Sequence, residues 1–160
     1  DAYAAMNDAA SASLALALYK GLAESSPSDL ILARLSDAYA RLFRYDRAFT
    51  TALRRTWNPS VSPEGAISQI LLLSLASGDW DRGIDCLLYI LKERADESES
   101  TLLALAALYI EKSGTVSEHS LREEYRSAAA ACLDEAEETL PGGSRMPESI
   151  LRLRKEIEER

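Results

Sequence analysis

The stretch Gly78-Asp79-Trp80-Asp81-Arg82-Gly83 is a polar knot with one tryptophan, set between the apolar runs Ile70-Leu71-Leu72-Leu73 and Cys86-Leu87-Leu88-Tyr89. It has an earlier echo. Tyr45-Asp46-Arg47-Ala48 precedes Trp80-Asp81-Arg82-Gly83 by 35 positions, and each copy follows one apolar segment and opens another. An aromatic fills the angle between two packed helices. A carboxylate such as Asp81 favours the start of the second helix through its dipole, and a small residue lets the pair approach. The stretch therefore predicts a helical corner rather than a catalytic loop, and its echo predicts a repeat.

Outward from the corners, strictly alternating β-branched runs are missing, whereas Ala, Leu, Glu and Arg recur three and four residues apart, the spacing of a helical face. The fold class is all-α. Breaks rich in Ser, Pro, Gly and Asp leave helices near 9–24, 29–43, 46–57, 63–77, 80–94, 97–112, 117–140 and 147–160; residues 1–8 extend the first or belong to one before it. Ser62 ahead of Pro63 has the form of an N-cap, and Asp96 three residues before Glu99 that of a capping box. Short loops between helices of similar length make antiparallel hairpins.

Pro27 and Pro59, 32 apart, each close a helix. Paired helices repeating at about 34 residues resemble the tetratricopeptide repeat. In one unit the resemblance rests on Leu32, Leu35, Ser36, Tyr39, Tyr45, Ala48, Ala52 and Pro59, with Phe43 in place of the corner glycine and Arg55 in place of the last small residue. The next has Ile67, Ile70, Gly78, Trp80, Gly83 and Leu87 but no closing proline. Ala15, Tyr19, Leu22 and Pro27 are similar to the second helix of a partial repeat. A last unit has Leu102, Leu105, Ala106 and Tyr109, then Ala129, Leu133, Ala136 and Pro141 after an insertion within Gly114 to Ser127. The resemblance implies a right-handed solenoid of stacked antiparallel hairpins over residues 1–141: a partial repeat 9–28, repeats 29–62 and 63–96, and an expanded repeat 97–141. Residues 142–160 follow as a linker and a C-terminal capping helix.

Stacking gives each hairpin a neighbour and makes one continuous core. Residues 66–76, apolar over more than one stripe, predict a helix buried on several sides. In the last helix Ile150, Leu153 and Ile157 form a narrow stripe, with Glu148–Arg152 and Glu156–Arg160 as i,i+4 pairs on its wet face. The resemblance further implies a concave groove lined by the first helices. The positions that would face it are Arg34, Asp37 and Arg41, then Ser68, Gln69 and Leu72, then Leu103, Ala107 and Glu111. The family's clamp for a terminal carboxylate is missing, since Ala33, Asp37, Ser68 and Gln69 stand at its positions. An apolar groove of this kind takes a peptide or helix of another protein by surface burial. The alternative is a structural or assembly subunit, a piece of a longer solenoid whose groove is filled by its own segment from Pro147 or by a neighbouring domain.

Other function classes find little footing. A formal net charge of −8 argues against nucleic acid as a partner, and the cluster Arg41, Arg44, Arg47, Arg54 and Arg55 reads as a solvated helix face. No run approaches the roughly 20 apolar residues of a membrane span. Because the sequence starts at Asp1, any targeting segment or further domain would lie outside it. Cys86 and Cys132 sit among apolar residues and read as free, buried thiols. His119 has no second His or Cys beside it to make a metal or nucleophile site, Glu135, Glu137 and Glu138 read as a wet face, and Gly142-Gly143 lacks the context of a phosphate loop. Trp80 reads as corner packing; Trp57 is poised between packing and binding. The expectation is a non-enzymatic protein-binding scaffold with no cofactor.

Overall fold

A computed structural model of the chain describes residues 2–58, 61–94, 98–140 and 147–159. Every regular element among them is helical. The chain divides into two compact units, Asp1–Ser77 and Gly78–Arg160.

The first unit holds α1 (Ala2–Ser25), α2 (Asp29–Arg41), α3 (Tyr45–Arg54) and α4 (Glu64–Ser77), with a 3-10 turn, Arg55–Trp57, closing α3. The first helix takes in residues 2–8 as an extension. Ser28 caps α2 by accepting a hydrogen bond from the Ile31 N–H at 3.3 Å. The helix stops at Arg41, short of the expected residue 43, because Phe43 turns into the left-handed region at φ 56°. Its N–H and that of Arg44 then return to the Ala40 and Tyr39 carbonyls at 2.9 Å each. Small residues make the α2–α3 hairpin tight: the buried Ser36 hydroxyl donates to the Ala48 carbonyl at 2.9 Å, beside fully buried Ala48, Phe49 and Ala52. On the other side of α2, Leu32 and Leu35 pack with Ala23, Leu16 and Tyr19 of α1.

Ser62 accepts from the Glu64 N–H at 3.3 Å and Pro63 lies buried just ahead of α4, so the proposed start is present one residue later than drawn. The several-sided burial expected of residues 66–76 is not found. Ala66, Ile67, Ile70, Leu73 and Ser74 are buried, but Leu72 and Leu75 are 65% and 49% exposed. Within its unit α4 packs on α3 and, more lightly, on α2, which engages one face only.

The second unit holds α5 (Trp80–Glu93), α6 (Ser98–Thr115), α7 (His119–Glu138) and α8 (Glu148–Glu159). Gly78, at φ 70°, takes at this corner the left-handed conformation that Phe43 takes 35 positions earlier. The capping side chain is Asp79, which accepts from the Arg82 N–H at 3.2 Å. Asp81 lies in the first turn of α5, where its charge favours the helix start, and its side chain also reaches Lys112 of α6. Gly83, Ile84, Leu87 and Ile90 bury one face of α5, and Trp80 is half-buried at the corner.

α6 packs most extensively on α7. Leu102, Ala106 and Ile110 meet Ala129, Leu133 and Ala136, and Ile150 and Leu153 of α8 complete the cluster, with Ile157 beside them. The narrow stripe of the last helix is thus buried as expected. Of the foreseen ion pairs Glu148–Arg152 does not form, and Glu156–Arg160 falls outside the described residues. Arg152 pairs with Glu156 at 3.9 Å and Lys155 with Glu159 at 3.4 Å, while Arg154 binds Asp134 and Glu137 of α7 at 2.6 and 2.7 Å. Pro59, the Asp96 half of the capping box, the stretch from Pro141 through Gly143 and Arg160 lie outside the described residues.

Candidate functional site

The nine groove positions fall into two groups, one in each unit. In the first unit Arg34, Asp37 and Arg41 stand on the exposed side of α2, spaced as one helical face, and with Ser11, Ala12 and Tyr19 of α1 they line a shallow pocket of about 340 Å³. Arg34 and Asp37 are 4.0 Å apart. On α4, Ser68 and Leu72 are exposed and Gln69 is half-buried. Ser68, Leu72 and Leu75 follow each other at four and three residues, so they form a single outward stripe, polar at its start and apolar beyond.

Gln69 does not wait for a ligand. Its amide nitrogen donates to the Ala33 carbonyl at 3.1 Å and to Asp37 Oδ1 at 2.7 Å, and its amide oxygen accepts from Arg55 Nη1 at 2.9 Å. Arg55 in turn grips both carboxylate oxygens of Asp29, at 2.7 and 3.0 Å, and donates to the Gly65 carbonyl at 2.8 Å. This guanidinium is buried, and four hydrogen bonds satisfy most of its five donors. The network ties α2 to α4 and fixes the spacing of the two faces. Arg55, which stands where the repeat resemblance expects a small residue, is therefore the residue that joins α2 to α4, and no single-residue signal marked it.

In the second unit Leu103 and Ala107 are half-buried and pack against the core that α8 helps close, and Glu111 is half-buried beyond them. The sequence expected these three at an open surface. The helical register explains the difference: Leu103 and Ala107 each follow a core residue, Leu102 and Ala106, by one position, so they sit at the margin of the buried stripe.

The chemical candidates give no reacting site. Cys86 is buried and Cys132 partly so, both free, and burial pushes each thiol up to about 11, well away from a nucleophile's range. His119 is exposed at the first position of α7. Among the described residues no group of His, Cys, Asp or Glu is placed to hold a metal ion, and no helix is long and apolar enough to cross a membrane. Trp57 is 63% exposed, under the Arg54 guanidinium at 5.8 Å, so it is not core packing.

Lys112 has Asp81 as its partner and lies over the Tyr125 ring at 4.4 Å. Burial works against its charge, but hydrogen bonds to Asp81 and Tyr125 outweigh that and raise its pKa. This too is a structural tie between α5, α6 and α7. No family model, curated protein or solved structure matches the chain, so the repeat resemblance rests on its own residues.

Proposed function

We propose that the chain is a non-enzymatic, tetratricopeptide-like interaction module that holds a peptide or helix of another protein on its first-helix faces. The observation that carries this reading is the outward stripe of α4, where Leu72 and Leu75 lie open to solvent opposite the buried face of Ala66, Ile67, Ile70, Leu73 and Ser74. Leaving two leucines 65% and 49% exposed forgoes about 1–2 kcal/mol each, which a partner's apolar side chains would recover. Arg34 and Arg41 on α2 supply charge to set the register of such a segment. The two corners that share a left-handed residue 35 positions apart support the repeat on which the reading depends.

The test uses Leu72→Glu. It adds charge at a position that contributes little to the core, so the helical circular dichroism and the melting temperature should hold while capture of the partner falls by at least about tenfold. Unchanged capture by a folded Leu72→Glu protein would remove the groove from consideration. Leu103, half-buried, does not allow the same clean substitution.

A second reading has one observation in its favour. In the second unit the closing helix α8 already packs on α6 and α7, so that part of the first-helix surface is served by the chain itself. An assembly subunit with an internally filled groove fits this. Deleting residues 147–160 distinguishes the two: a filled groove gains partner binding or aggregates, whereas a cap loses only stability.

A further inference from the structure

A different face of the first unit carries cations that the fold does not neutralise. Between α1 and α3, floored by α2, lies a cleft of about 430 Å³ whose rim holds Lys20, Arg47 and Arg54; its continuation is lined by Lys20, Tyr39, Arg44 and Arg47. Leu35, Ala23 and Pro27 form the apolar part of its wall, and Tyr39 lines both halves. Four cations, from α1, from α3 and from the corner just ahead of α3, thus face a cleft that holds two carboxylates, Glu24 and Asp46.

The surroundings make this unusual for the chain. Elsewhere many of the described cations have a carboxylate partner, as Arg34 with Asp37, Arg55 with Asp29, Lys112 with Asp81, Arg126 with Glu123 and Arg154 with Asp134 and Glu137, and those without one, such as Lys92 and Arg122, stand singly. Among the described residues Lys20, Arg44 and Arg47 form no ion pair. A solvated helix face, the meaning given to these arginines by the sequence alone, accounts for charges spread along one helix. It does not account for unneutralised charges converging from α1 and α3 on one concavity.

We propose that this cleft binds an acidic segment of a partner polypeptide, with carboxylates on Lys20, Arg44 and Arg47 and an apolar side chain against Leu35 and Tyr39. Like charges held together in a cleft attract a counter-charge and speed its arrival. Arginine forks suit carboxylates, and the volume fits a few side chains rather than a duplex or a long strand. Nucleic acid is disfavoured because the first unit has seven basic and seven acidic residues, with no basic stripe beyond the cleft to follow a phosphate backbone.

The probe is a short fluorescein-labelled peptide of glutamates with two leucines, titrated with the whole chain and followed by anisotropy. We expect micromolar binding at low salt that weakens as salt rises, and a loss of at least about tenfold in Arg44→Glu/Arg47→Glu. Arg152→Glu/Lys155→Glu, with the same change in net charge on exposed positions of α8, should bind as the parent does. So should Leu72→Glu, which separates this cleft from the α4 groove and lets either fail alone. Circular dichroism confirms that each variant is folded. No binding at low salt overturns the proposal, as does equal weakening by the α8 variant. It is also overturned if a single-stranded oligonucleotide of equal charge binds more tightly than the peptide.

Discussion

Phe43 and Gly78 adopt the same corner conformation, at φ 56° and 70°, with different chemistry. A β-carbon in the left-handed region crowds the following carbonyl and costs about 1–2 kcal/mol, a penalty glycine does not carry. Phe43 regains little of it, since the ring is 81% exposed and its one aromatic neighbour is Tyr45, edge-on at 6.3 Å. Phe43→Gly should therefore stabilise the protein by about 1 kcal/mol, raising the melting temperature by a few degrees. Gly78→Ala should do the reverse by a similar amount. Nothing stands within 4 Å of a β-carbon there, so the loss is one of backbone conformation alone. Thermal melts that moved both variants in the same direction would refute the shared corner.

Helices α2 and α4 are held at a set distance by one buried guanidinium, and the device needs a gap. A β-carbon on Gly65 would stand 2.5 Å from Arg55 Nη2, an atom that Asp29 already fixes. Gly65→Ala should cost about 1–3 kcal/mol through the broken hydrogen bonds, despite alanine being the better helix former. In an Arg55→Ala background the obstacle is gone. There the same substitution should be neutral or stabilise by up to about 1 kcal/mol, and urea unfolding of the four proteins measures this change of sign. A cost that persisted without Arg55 would mean the glycine serves some other contact. The sequence made the helices legible because their periodicity and breakers are local, and it marked Ser36 and Ala48 as small pattern positions without pairing them, a contact the structure supplies. It missed the capping by Asp79, a local contact with Arg82, and also the Arg55 tie and the open side of α4. These last two depend on which residues a neighbouring helix presents, and that information is spread over positions up to 36 apart, as between Ala33 and Gln69. For the groove, the helical register of Arg34, Ser68 and Leu72 could be read along the chain, whereas the half-burial of Leu103 and Ala107 depended on α8.

Charge divides the molecule unevenly, since the first unit's acids and bases balance and the net −8 belongs to Gly78–Arg160. Among the described residues each group with a resolved pKa shift also lies there: Cys86, Tyr109, Lys112, Cys132 and Arg154, all raised. For the two thiols and Tyr109 burial is the leading cause; for Arg154 it is the bonds to Asp134 and Glu137. A raised folded-state value means that the native unit holds its proton more tightly than the unfolded chain. Its contribution is complete below the unfolded pKa and is lost as pH climbs through the folded one. For the thiols that window runs from 9.0 to about 11. Cys86, buried on α5, alone corresponds to a loss of up to about 3 kcal/mol across it. Alkali should therefore loosen the second unit while the first, with neither cysteine, keeps its stability. In a Trp57→Phe background Trp80 reports the second unit, and its urea midpoint should fall between about pH 8 and 10.5. Adding Cys86→Ala and Cys132→Ala should flatten that fall even though their smaller side chains lower the midpoint at pH 8. An equally steep decline without the thiols would show that their burial does not set the alkaline limit.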